Sequence, residues 1–141
     1  MIMNAEPDKI NVMFITTEDS IAIDTGPKEG AFYHFKEVCD ISMVEMVRVG
    51  HQNAYMLMDE EAHLHENPRP INKLATSLLN ACCLEDECPR PYLIYGPVMV
   101  VGASDDGEID MDCPRMLYAK TLLLMKIFSL EEDEIEHLID Y

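Results

Sequence analysis

The chain has 141 residues, a length that fits one domain and suffices for a core without disulfide or metal staples. Its hydrophobic fraction of 48% is that of a globular protein, so the high charge does not signal disorder. Twenty-seven Asp and Glu face ten Lys and Arg, and the resulting net charge of −17 argues against direct binding of nucleic acid or of an anionic membrane surface.

Residues 1–8 read as a flexible N-terminus, with no basic stretch followed by an apolar one, so no secretory signal is expected. Ile10 to Thr16 is rich in β-branched and apolar residues and reads as a strand. Thr17-Glu18-Asp19 supplies a turn into a second strand from Ser20 to Asp24, and Gly26-Pro27-Lys28-Glu29-Gly30 is expected to break the sheet. Ala31 to Cys39 sets Ala31, Phe35 and Val38 at helical spacing.

Met43 to Val49 and Ala54 to Met58 follow as strands joined by a turn at His51-Gln52-Asn53. The runs Asp59-Glu60-Glu61 and Pro68-Arg69-Pro70 read as a solvated loop. Ile71, Leu74, Ala75, Leu78, Leu79 and Cys82 then form an amphipathic helical stripe behind two prolines. Tyr92 to Val101 is an apolar strand interrupted by Gly96-Pro97, which points to an edge strand or a bulge.

Ser104 to Asp112 reads as a loop, and Pro114 opens a long helix running towards Asp140. That helix is apolar nearly all round between Leu122 and Phe128, as in a sandwiched helix or a subunit contact. Its densest apolar run, Leu122 to Met125, stops at Lys126, well short of the roughly eighteen residues a membrane span needs. No repeat or linker divides the chain. The expectation is one domain over residues 1–141, of class α+β: a small, mainly antiparallel sheet of about five strands, about three helices packed on one face, and a long C-terminal helix over residues 113–141.

The chemistry-bearing residues fall into four groups. His63 and His65 lie two apart, with Glu61 two earlier, so an extended segment would align all three; a zinc site still needs further ligands from elsewhere. The five cysteines, Cys39, Cys82, Cys83, Cys88 and Cys113, are an odd count and lack zinc-knuckle spacing, so free thiols in a cytoplasmic protein are expected. There is no nucleophile elbow and no phosphate loop, and a Cys–His pair is recognised only by geometry. The reading is therefore non-enzymatic, without cofactor or metal.

The fourth group is the acids. Asp105, Asp106, Glu108, Asp110 and Asp112 do not fit a calcium loop, because Gly107 comes too early and the closing Glu is missing. A solvated turn is the expectation for these acids; the alternative is that Glu108, Asp110 and Asp112 present charge along one side of an extended strand. Glu131, Glu132, Asp133, Glu134, Glu136 and Asp140 crowd the closing helix, and residues 104–141 hold eleven acids against three basic residues. Acids there oppose the helix dipole by a few tenths of a kcal/mol each, a cost that hints at a use.

From Ile41 onward the order of motifs resembles a small domain family of unknown function found in phages, plasmids, mobile elements and some large DNA viruses. The matching stretches are Met43-Val44-Glu45, Ala54 to Glu61, the helix start Asn72-Lys73-Leu74-Ala75-Thr76, and Gly96-Pro97-Val98-Met99-Val100-Val101-Gly102. The likeness spans about residues 8–112; Ile41 and Ser42 stand where the family has a glycine pair, and the helix after Pro114 is an addition. The resemblance implies a viral or mobile-element setting and carries no catalytic residues; Asn72 and Thr76 are expected to cap or orient their helix.

Setting and charge together point to an interaction protein of nucleic-acid-mimic type, an inhibitor whose acids at 105–112 and 131–136 occupy the basic nucleic-acid-binding site of a host protein. The alternative is a small-molecule-binding or sequestering protein, oligomeric through the Leu122–Phe128 helix, with Phe32, Tyr33, Tyr92 and Tyr95 lining a pocket.

Overall fold

The computed structural model describes residues 8–50, 53–62, 69–82 and 93–139, with side chains through residue 129. Its eight elements are β1 (Lys9–Ile15), β2 (Ile21–Pro27), α1 (Ala31–Cys39), β3 (Val44–Arg48), β4 (Ala54–Asp59), α2 (Lys73–Cys82), β5 (Val98–Gly102) and α3 (Arg115–Ile139). The strands form one antiparallel sheet in the order β2-β1-β5-β4-β3. The class is α+β, as the sequence leads one to expect.

Alternation along the strands gives the sheet two apolar faces. Met13, Ile15, Met56, Val98 and Val100 point to one side and meet Leu74, Ala75, Leu78 and Leu79 of α2 and Leu117 of α3. Ile10, Val12, Phe14, Leu57, Met99 and Val101 point to the other and meet Ala31 and Phe35 of α1. The expectation of helices on a single face is thus corrected: α1 covers one face, α2 and α3 the other. β1, β4 and β5 are apolar at consecutive positions because both their faces are covered, the pattern of a strand buried on two sides.

Three further expectations change. The stretch expected to break the sheet at Gly26-Pro27 continues β2, with Gly26 opposite Ile10 and Pro27 opposite Lys9; Pro27 is tolerated because β2 is an edge strand. β5, expected to be an edge strand or to carry a bulge, is the middle strand. Its ladder stays intact because Pro97 precedes the first paired residue, Val98. Ile71, counted in the helical stripe, lies before the helix, forms an isolated bridge with Tyr95 and is 44% exposed.

Asn72 joins these parts. It is fully buried, and its side-chain oxygen accepts the Ala75 N–H at 3.0 Å, the bond of a helix N-cap. Its side-chain amide donates to Ile15 O at the end of β1 (3.0 Å) and to Gly96 O ahead of β5 (2.9 Å). Its backbone N–H donates to Ile94 O, its backbone carbonyl accepts from Thr76, and the Thr76 hydroxyl accepts the Ile94 N–H at 3.0 Å. Gly96, at φ +79°, adopts a left-handed conformation that a side chain would resist.

Truncating Asn72 removes the cap and strands two carbonyls without donors. Asn72→Ala is expected to lower stability by about 3 kcal/mol or more, from roughly 1 for the cap and the rest for the unmet carbonyls. Urea denaturation followed by circular dichroism measures it; a loss under about 1 kcal/mol would mean that water replaces the amide at no cost.

Candidate functional site

The first acidic group sits on the loop between β5 and α3. The loop is held at its base by a two-way backbone pairing of Gly102 with Met111, and a Cβ on Gly102 would run into the Asp112 carbonyl. Its tip is a turn in which the Ser104 hydroxyl and the Glu108 N–H both donate to Asp106 Oδ1, so the Asp106 carboxyl is held below its usual range, by the hydroxyl first and the amide second. Asp112 Oδ1 accepts the Asn11 N–H at 2.7 Å, and Cys113 N–H donates to Asn11 O at 2.8 Å, which stitches the loop's end to β1.

These contacts divide the five acids. Asp105 and Glu108 stand exposed, Asp106 closes its own turn, and Asp112 is part of the attachment to β1. Asp110 is half-buried; with Glu108 and Ile109 it lines an open hollow of about 500 Å³ against Lys28, Glu29 and the first residues of α1. The expected loop is observed, with Gly107 at φ +87° in its turn.

The second group, Glu131, Glu132, Asp133, Glu134 and Glu136, stands on the last turns of α3. About 24 Å of helix separates Arg115 from Glu131 at 1.5 Å per residue, so the two groups lie at opposite ends of α3 rather than together. Asp140 lies outside the described residues.

The other candidate chemistry lies only partly among the described residues. His63, His65, Cys83, Cys88 and Tyr92 lie outside the described residues. Among the described residues no three His, Cys, Asp or Glu side chains are placed to hold a metal ion. Burial pushes the Cys39 and Cys82 thiols up, against smaller opposing effects of Arg69 and Lys120. Burial and then the Asp112 charge push Cys113 up to about 12. None of the three is thus tuned as a thiolate nucleophile, which needs a lowered pKa. Phe32 and Tyr33 meet edge to face at the start of α1, whereas Tyr95 pairs with Ile71 at the opposite end of the sheet, so these three do not line one pocket.

Asp59 and Arg69 were not visible as a pair in the sequence, where both read as solvated loop. Asp59 is buried at the end of β4, where it accepts from Arg69 Nε at 2.9 Å and from the Glu61 N–H at 2.9 Å; Arg69 also donates to Asp40 O beyond α1. Sixteen acidic residues are described with their side chains: twelve are exposed, three are half-buried, and only Asp59 is buried. The arrangement is a neutral core under a surface of carboxylates. Among the described residues no helix is long and apolar enough to cross a membrane. No family model, curated protein or solved structure matches the chain.

Cys113 is expected to resist alkylation at pH 8, reacting about a hundredfold or more slowly than a free thiol, because burial both shields it and keeps it protonated. Peptide mass spectrometry after timed iodoacetamide treatment reads this directly. Rapid labelling of the folded protein would show that the start of α3 opens.

Proposed function

We propose that this chain is a non-enzymatic interaction protein whose acidic surface occupies the nucleic-acid-binding site of a host protein, acting as a phosphate-backbone mimic in a viral or mobile-element setting. The observation that carries the reading is the placement of charge: twelve of the sixteen described acids are exposed on a compact α+β body. The setting rests on the motif resemblance alone.

Asp105 and Glu108 form one exposed contact point, and the acids of residues 131–136 supply the other. The rise of α3 from Arg115 to Glu131, ~24 Å, corresponds to about seven base pairs at 3.4 Å each, the scale of a basic groove reading one duplex segment. A field of −17 also speeds encounter with a positive partner and weakens as salt screens it.

A small-molecule binder is the weaker reading on this geometry. Two described hollows, about 460 and 500 Å³, share Lys28 and Glu29 at their edge and are open to solvent rather than enclosing.

An affinity pull-down from host lysate at low and at high salt tests the proposal. One nucleic-acid-binding protein is expected at low salt and lost as salt rises. Asp105→Asn with Glu108→Gln is expected to weaken that complex by about 1 kcal/mol, roughly fivefold, for two exposed charges. A complex indifferent to salt and to this variant, or capture of no such protein, would overturn it.

A further inference from the structure

The sheet has two edges, and they are finished differently. Backbone bonds from Thr16 to Ser20 and from Lys28 to Asp8 fix which residues of β2 face β1, so Ile21, Ile23, Thr25 and Pro27 direct their backbone groups outwards. Two of these four offer no donor to a further strand. Pro27 has no N–H, and the Thr25 N–H donates at 2.8 Å to the Asp24 carboxylate. Proline on an edge is one way in which a sheet is closed to further strands.

β3, the other edge, is not blunted. The Met43 carbonyl accepts from Glu60 and the Val49 N–H donates to Ala54, both at 3.0 Å. The odd-numbered residues of β3 therefore bond to β4, and Val44 and Met46 point outwards. Among the described residues nothing meets the backbone N–H or carbonyl of either one. Farther along, the Arg48 carbonyl accepts from Gly50, which closes the open stretch. Val44 packs towards the α1 side of the sheet, and Met46, opposite Leu57, stands on the same side at 42% exposure. Glu45, between them, is exposed on the α2 side, opposite Met58.

Open backbone groups call for an extended backbone, and the side chains around them select its chemistry. An antiparallel strand would set one residue opposite Val44 and one opposite Met46, where apolar side chains pack, and one opposite Glu45, where a cation is favoured. At the Val44 end Asp40, Glu60 and Glu61 are also exposed, and the Arg69 there is bound to Asp59; Arg48 lies at the far end. A second copy of this chain is the poorer occupant, because it brings another charge of −17 to an edge already acidic.

We propose that the β3 edge takes up an extended segment of a basic partner protein as a sixth, antiparallel strand, with apolar, basic and apolar residues in turn opposite Met46, Glu45 and Val44. Backbone bonds to Val44 and Met46 hold the segment, and the cation on Glu45 sets its register. Binding here uses backbone groups of β3 rather than the acids at 105–112 and 131–136, so it holds whether or not the chain is a nucleic-acid mimic.

Three end-capped peptides of seven alternating valines and lysines test this on the full chain: one unmodified, one N-methylated on its valines and one N-methylated on its lysines. All three carry the same charge. Valines in register with Val44 and Met46 direct their N–H groups at β3, so methylating them is expected to weaken binding about tenfold or more, read by fluorescence anisotropy. The lysine N–H groups face away, and methylating them is expected to change binding by no more than about twofold. With the unmodified peptide bound, amide hydrogen exchange is expected to slow at Val44 and Met46 and not at Ile21 or Ile23. Met46→Pro, which removes an outward N–H as Pro27 does on β2, is expected to abolish binding with unchanged circular dichroism. Should that variant lose its fold, the two methylated peptides still decide the matter on the unaltered chain. Equal binding of all three peptides, which is attraction to charge alone, would overturn the proposal, as would no binding of the unmodified peptide or protection at β2 instead of β3.

Discussion

The fold depends on a buried amide. Asn72 meets three separate parts of the chain at once: the first turn of α2, the carbonyl closing β1 and the carbonyl preceding β5. None of these groups can reach water, and an unmet buried carbonyl costs more than a made bond contributes. With the amide in place, α2 can start only where β1 ends and β5 begins. Leu74, Leu78 and Leu79 are then delivered to the sheet face that carries Met13, Ile15 and Val98. The backbone of the same residue fixes Ile94 through its N–H, and Thr76 completes that exchange by accepting from Ile94.

The same interactions account for the residues at the start of α2 and around β5. Asn72 and Thr76 are a cap and an acceptor for one strand approach, and Gly96 and Gly102 bracket the central strand for different reasons. Gly96 takes a left-handed turn whose carbonyl Asn72 holds. Gly102 leaves room for the backbone of Met111 and Asp112 to close the acidic loop. These are needs of packing.

Local pattern made much of this fold legible. The hairpin of β1 and β2, the helix Ala31–Cys39 and the stripe of α2 declare themselves by period, because each buries a face whose spacing is set by its own geometry. The misread features are those decided at long range. The place of β5 in the sheet depends on β1 and β4, which lie far away in sequence, and Gly96-Pro97 marks its approach rather than an edge. Asp59 and Arg69 look like solvated loop until the chain returns to β4. Asp112 reads as one of a row of acids, and only the proximity of Asn11, 101 residues earlier, makes it a structural acceptor. Of the candidate site, sequence could give the acids but not which of them the fold consumes.

The two acidic groups look unrelated in a single chain, since α3 holds them at opposite ends. Arg115, Lys120 and Lys126 lie between them along the helix and offset part of their repulsion.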